Sequence, residues 1–539
     1  MKKTTLLLLC LVLWLGPEAA RPADVGPTYA LVNCKVVPVS GPALEKGTII
    51  IRDGLIEAVG PAEKIAVPED AEVIDGQGLT AYPGLLDAHS QAFLEPAREE
   101  PAGPARGGGP AQLQPAGPQG FTPETQAFKL LKPKKSDLAG LQRLGFTTVL
   151  VVPSQGIFAG QSVLLNLNGD KPAAMVVRQP VALHIYFATE RGVYPSSLMG
   201  TMAALRQSFL NTQDYARHQA AWNASPRRFK RPEYSPFLDA LRPYVVDKRP
   251  VIFTCANQED IKRAIRLIEE FKLNSLLSGA NEAWRVAEAV KRAQVPLLVS
   301  LSFKPPLTSL YANQGDELKK KAEEEIYPAN AAALIKAGIP FALTSCGLTK
   351  VEDILKNTRA AIKAGLPREE ALKALTIQPA RFLGVESMLG SLEAGKIANI
   401  ILTSGEIFEE KTQVEKVFVD GQMFNVEKAP PSGAGPAAVS LSGSWQGKIV
   451  SPMGEMDISL ELDQQGSQVS GTATVMGNKR DISEGVLSGS ALTFTIETVI
   501  MGQSMSFAFQ GTADKDLIEG SLAFPMGSAE VRLSRVPKE

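Results

Sequence analysis

Three histidines are all that this chain of 539 residues holds: His89, His184 and His218. Imidazole is the side chain best suited to proton transfer near neutral pH and to binding zinc, so each is a candidate for chemistry. His89 closes an apolar phrase, Tyr82-Pro83-Gly84-Leu85-Leu86-Asp87-Ala88-His89, which runs on into Ser90-Gln91. His184 lies in an apolar strand pattern over 181–187 and reads as a buried, hydrogen-bonded histidine. His218 stands between Arg217 and Gln219 on a polar helical stretch and reads as solvated. Of four cysteines, Cys10 falls in the N-terminal apolar run, which leaves Cys34, Cys255 and Cys346. An odd, sparse set is no disulfide framework. His89, Cys255 and Cys346 could hold zinc through two thiolates and an imidazole if they converged. The plainer reading makes the cysteines small buried hydrophobes and His89 a relict hydrogen-bonding inside the fold.

The elements that would position these residues alternate. Residues 29–74 read as short strands with a hairpin turn at Asp53-Gly54. Residues 95–120 are rich in Pro, Gly, Ala and Gln, a composition that cannot bury a core, and read as a long mobile loop. Short apolar runs at 146–152, 181–187, 250–254, 274–277, 295–301 and 340–344 read as buried parallel strands. Helical patterns at 258–271, 280–293, 318–337 and 351–364 separate them. This alternation predicts an α/β fold, a (β/α)8-type barrel, with chemistry at the C-terminal strand ends. Cys255 and Cys346 then end strands that are not neighbours, which disfavours a disulfide between them. Strand character returns at 396–402 and 414–424, with a turn at Asp420-Gly421, followed by a Pro/Gly/Ala linker at 428–438. The last hundred residues alternate apolar and polar with regular glycines and no helix signal, and read as an all-β module.

The phrase ending at His89 resembles the signature of the amidohydrolase superfamily, where Pro-Gly-x-x-Asp-x-His-x-His supplies two metal-binding histidines. The resemblance extends, in order, through 56–60, Ile74-Asp75-Gly76, 371–383, 390–402 and 417–421, covering roughly 29–425. It is closest to imidazolonepropionase-like and prolidase-like members. It implies a composite β-domain from 24–80 with 390–427, a barrel over 81–389, and metal-dependent hydrolysis of carbon–nitrogen bonds. The ligand positions of that family are broken here. Gln91 stands where the second histidine belongs. Thr254 and Cys255 end the strand that carries a histidine in the family, and Ser278 ends the next. Cys346 stands where the family has an aspartate. Three histidines cannot supply the family's four. These substitutions predict a barrel without catalysis that binds a ligand or pairs with an active homologue or a second copy, and no bound cofactor. A remodelled hydrolase, with zinc as its metal, is the alternative. A second alternative gives the function to the C-terminal module (439–539), whose Gly443-Ser444-Trp445 opening is similar to lipocalin-like barrels and whose Met453, Met456, Met501, Met505 and Met526 could line a binding space.

Charge is nearly balanced, 56 basic against 57 acidic residues, and no long basic run offers nucleic acid an electrostatic footprint. Lys2 and Lys3 followed by the apolar run 6–15 read as a signal peptide over 1–23, which predicts export to the periplasm or the extracellular space. No later segment is long and apolar enough to span a bilayer. The helical segment 197–222, with Arg206, Gln207, Asp214 and Tyr215, either lines a pocket or packs on the barrel.

Overall fold

A computed structural model describes residues 27–94, 120–169, 171–189, 194–305, 316–348, 350–426 and 440–536, apart from positions 452–453, 467, 476–477, 489, 501–502 and 525–526. The segment read as a signal peptide, nearly all of the loop at 95–120 and the whole of the linker at 428–438 therefore lie outside the described residues. The chain divides after Val426 into two units.

In the first unit the strands run, in chain order, β1 (Tyr29–Val36), β2 (Leu44–Arg52), β3 (Leu55–Pro61), β4 (Glu72–Asp75) and β5 (Thr80–Pro83). They continue as β6 (Leu85–Ser90), β7 (Phe146–Val151), β8 (Phe158–Gln161), β9 (Val163–Asn166), β10 (Val176–Arg178) and β11 (Leu183–Tyr186). Then come β12 (Val251–Cys255), β13 (Ser275–Gly279), β14 (Leu297–Ser300) and β15 (Phe341–Thr344). The last three are β16 (Ile400–Thr403), β17 (Val414–Val419) and β18 (Gln422–Asn425).

One sheet joins the two ends of this unit, in the order β18-β17-β16-β5-β1-β2-β3, with β4 beside β1. That sheet draws its strands from both flanks of the unit. Residues 81–83 pair with β16 and belong to this sheet, so the change of layer falls at Gly84 and not at residue 80. Gly84 is required there: a Cβ would lie 2.1 Å from Thr147 Oγ1. The Asp53-Gly54 and Asp420-Gly421 turns both take positive φ at each central residue, the twist that a two-residue hairpin demands. They pack back to back, and a Cβ on Gly421 would lie 2.6 Å from Gly54 Cα.

Beyond Gly84, β6 and β7 pair in parallel, as do β11, β12, β13, β14 and β15 in series. Between β7 and β11 stand two antiparallel strands, β9 against β7 and β8 against β11. β6, β7, β13, β14 and β15 are buried at every position, which is why all but β6, with its Asp87 and His89, read as largely apolar runs and not as alternating ones. The helix Gln258–Phe271 falls where its periodicity placed it. The Asn257 side chain accepts from the Glu259 and Asp260 amides, and Ile261, Ala264, Ile265, Ile268 and Phe271 form its buried stripe. The pattern at 318–337 is not one helix. It divides into Asp316–Lys321, a wide turn at Ala322–Ile326 and Asn330–Ala337. Tertiary bonds accompany the break: the Tyr327 hydroxyl donates to Glu282 (2.8 Å), and the Asn330 amide donates to the Ala280 carbonyl (3.0 Å). The pattern at 280–293 likewise divides, into Ala283–Val286 and Ala287–Ala293.

A buried polar network ties the composite sheet to the strands beneath the mouth. Asp420 accepts from the side-chain amides of Asn166 and Asn168, both at 2.6 Å. Asn399 donates to Asn166 (2.9 Å) and Thr148 (3.1 Å) and accepts the Asp420 amide (2.9 Å). Hydrogen bonds to a charged acceptor contribute more than neutral ones, and removing the acceptor strands buried donors. Asp420→Ala is therefore expected to lower the stability of this unit by about 2–4 kcal/mol, read from the urea midpoint of its unfolding transition.

In the second unit eight antiparallel strands, from Gly443–Ser451 to Gly527–Arg535, close into an up-and-down barrel. Trp445 is fully buried, and its indole donates to the Leu441 carbonyl (2.9 Å). The Arg535 guanidinium lies 4.4 Å from its ring centre and donates to the Ser442 carbonyl (3.0 Å), so the first and last strands share one plug. Phe494 and Phe509 stack at 4.6 Å within the same core. Of the methionines read as a lining, Met453, Met501 and Met526 and the Met505 side chain lie outside the described residues; Met456 packs against the core. Truncating Trp445 to Ala should cost this barrel about 3–5 kcal/mol, measured by loss of its own thermal transition.

Candidate functional site

β6 delivers two ionisable groups to the mouth, Asp87 and His89, both buried. Asp87 accepts from the Thr344 hydroxyl (2.6 Å), the Ser345 amide (3.1 Å), the His89 amide (3.2 Å) and the Ser345 hydroxyl. Burial pushes its carboxyl above the usual range, and the four donors pull it back. β15, which supplies Thr344 and leads into Ser345, is thereby fastened to β6 through side chains. Thr344 also donates to the His89 carbonyl (3.1 Å).

His89 Nδ1 lies 2.7 Å from Ser278 Oγ at the end of β13. Burial drives the His89 imidazole down to about 4, so it is neutral at pH 7. Cys346 follows Ser345 and adjoins Ser278. Burial, offset by a bond to Ser278 and reinforced by the Asp87 charge, raises its thiol to about 12. Both shifts oppose transfer of a proton from this thiol to this imidazole. The trio His89–Ser278–Cys346 is hydrogen-bonded and electrically quiet, not poised for nucleophilic attack.

The structure brings together His89, Ser278 and Cys346 and separates the remaining expected positions. Gln91 is exposed at the rim of a cavity of about 520 Å³, whose wall also includes His89, Ser345 and Cys346. Thr254 is half-buried on β12 opposite Tyr186. Cys255 is fully buried with its thiol toward the Phe253 carbonyl (3.7 Å). Its strongest charged neighbour is Asp260 on the helix behind the strand. The zinc arrangement of His89, Cys255 and Cys346 does not form, because Cys255 points toward that helix layer. Among the described residues no three His, Cys, Asp or Glu side chains are placed to hold a metal ion. The donor set does not fit one: Asp87 is committed to four donors and His89 Nδ1 to Ser278. Cys34, Cys255 and Cys346 are all free thiols.

His184 departs from the expectation of a satisfied core histidine. It is buried on β11 with its ring 5.8 Å from that of His89, edge to face, and neither ring nitrogen has a partner among the described residues. Burial, then the adjacent His89, holds its basicity far below normal. An unpartnered buried polar group is costly, and here it sits directly behind the mouth. Only its place in an apolar strand hinted at this. Thr344 and Ser345 were also missed; two consecutive hydroxyls at the last strand end were their signal. His218 is exposed, as read. The helix Leu198–Ala224 packs into the core through Leu205 and Phe209, which meets Phe271 at 5.0 Å. Its Arg206 pairs with Glu270 (2.7 Å), Asp214 with Arg217 (3.0 Å), and Gln207 donates to Asn211 (2.7 Å).

Comparison with known proteins agrees with this architecture. Residues 256–424 match the model of the amidohydrolase family. The chain is 25% identical over 391 residues to an imidazolonepropionase of Symbiobacterium thermophilum, covering 66% of this chain and 84% of that one. It is 23% identical over 406 residues to the amidohydrolase tasK of Hapsidospora irregularis, covering 70% of this chain but only 39% of that longer protein. A solved amidohydrolase from Thermotoga maritima superposes with a TM-score of 0.61 at 25% identity, over 74% of this chain and all of that one. Residues 256–424 thus carry an amidohydrolase family domain, and the first unit is similar over most of its length to members of that superfamily, whose enzymes hydrolyse carbon–nitrogen bonds.

The depressed basicity of His89 has a stability consequence. Its folded value, about 4, lies below the ordinary histidine value near 6.5. The unfolded chain therefore takes up the proton first as pH falls, and stability declines from about pH 6.5 toward pH 4 while staying flat above that window. His184 acts with the same sign. For His89 the loss is about 3 kcal/mol across the window. Unfolding free energies measured between pH 4 and pH 7 should show this slope, and His89→Gln should flatten part of it.

Proposed function

We propose that this chain is an exported superfamily member whose barrel, of the (β/α)8 type, has lost metal-assisted hydrolysis and works as a binding or partner subunit. Its partner is a small molecule seated in the mouth, an active homologue or a second copy. The observation that carries this reading is the Ser278–His89 bond at 2.7 Å with Cys346 alongside. Where the family resemblance calls for a ligand histidine and an aspartate, a hydroxyl and a protonated thiol occupy the strand ends. The hydroxyl engages His89 Nδ1, and among the described residues no donors converge on a divalent ion, which metal-assisted hydrolysis needs held in place. Loss of a site while glycines, turns and buried strands persist is how a scaffold outlives its chemistry. The basic start and the apolar run at 6–15 support export.

A remodelled carbon–nitrogen hydrolase is the second reading, favoured by the two unpartnered nitrogens of His184 beside His89. The C-terminal barrel as ligand carrier has the filled core around Trp445, Phe494 and Phe509 against it.

Elemental analysis of the purified protein, before and after dialysis against excess zinc, separates the first two readings when run beside assays of amide and cyclic-amide hydrolysis. The expected result is far less than one metal per chain and no turnover above the uncatalysed rate. Near-stoichiometric metal that is released by His89→Ala or His184→Ala would overturn the proposal.

A further inference from the structure

The helix Leu198–Ala224 is buried only as far as Tyr215. Its remaining nine residues, about 13 Å of helix, carry no buried position and stand clear of the core. They lead into Ser225-Pro226-Arg227-Arg228-Phe229-Lys230-Arg231-Pro232-Glu233-Tyr234, after which Pro236–Val245 returns the chain and Phe237 re-enters the core. The tip is ordered: Arg228 and Phe229 donate their amides to the Ser225 carbonyl at 3.0 and 3.3 Å. Four cations crowd into five residues, all exposed, on a chain whose net charge is −1. None of the four has an ion-pair partner among the described residues; Arg231 only lies over the Trp222 ring at 5.5 Å. Glu233 is the one acid in the loop. Phe229 (46% exposed) and Tyr234 (68%) project among the cations.

We propose that this projecting basic-aromatic tip is a docking site for an anionic phospholipid surface. Clustered Lys and Arg are attracted to anionic headgroups, and aromatic rings favour the membrane–water interface, so the two features together form a peripheral anchor where either alone is weak. A compact tip suits a flat surface better than it suits a nucleic-acid strand, which asks for a basic stripe or groove along its length. The inference is independent of whether the barrel catalyses.

The test is co-sedimentation of the full chain with vesicles of phosphatidylglycerol and phosphatidylcholine, and with phosphatidylcholine alone, at low and high salt. Binding to the anionic vesicles only, weakened at high salt, is expected. Arg227→Ala with Arg228→Ala should weaken it about 25-fold, at the attraction typical of a cation near such a surface. Phe229→Ser should weaken it while leaving the salt dependence unchanged. All these positions are exposed, so the thermal midpoint should not move. Binding that is equal on both vesicles, that survives high salt, or that ignores the arginine pair would overturn the proposal, because the apolar run at 6–15 would then account for it. Equal affinity for a soluble polyanion, with Phe229→Ser silent, would also overturn it.

Discussion

The Asp87 carboxylate is the joint on which the mouth of the first unit depends. A buried carboxyl is tolerated only when donors surround it, and here all four come from β6 itself or from the end of β15. The first and last parallel strands are thereby fastened by side chains. The same bonds hold the His89 backbone from two sides, so the imidazole reaches Ser278 in one orientation.

The neutrality of the mouth follows from burial more than from charge pairing. His89, His184 and Cys346 are each pushed toward their uncharged forms by loss of water. For the thiol the bond to Ser278 offsets part of the shift, while Asp87 raises it further. A metal ion would reverse only the shift of the thiol, by favouring thiolate, and would keep the imidazoles neutral; among the described residues no such set of donors converges on one point. The hydrogen-bonded mouth lies beside a cavity of about 520 Å³ with polar rim groups.

Local signals carried the fold far. Asp-Gly pairs marked the 53–54 and 420–421 hairpins because only that chemistry takes positive φ at both centres cheaply. Unbroken apolar runs marked β7, β14 and β15 because parallel strands are covered on both faces. The 318–337 pattern misled because Tyr327 and Asn330 answer to Glu282 and Ala280, residues distant in sequence, and those bonds accompany the break in the helix. The shift of the domain edge to Gly84 had the same kind of cause, since residues 81–83 find their partners on β16, over three hundred residues later.

For the site, sequence alone determined what cannot be present. Three histidines cannot make a four-histidine centre, and Gln91, Ser278 and Cys346 are what stands at those strand ends, whatever the fold. Composition is a hard bound of that sort. Tertiary structure alone decided which of these residues meet. It set Ser278 on His89, turned Cys255 toward the helix layer, brought Thr344 and Ser345 onto Asp87, and left His184 unpartnered beside His89. The reason is physical: hydrogen bonds and burial depend on distances between strands far apart in the chain, and no pattern along one strand records which way its neighbour's side chains point.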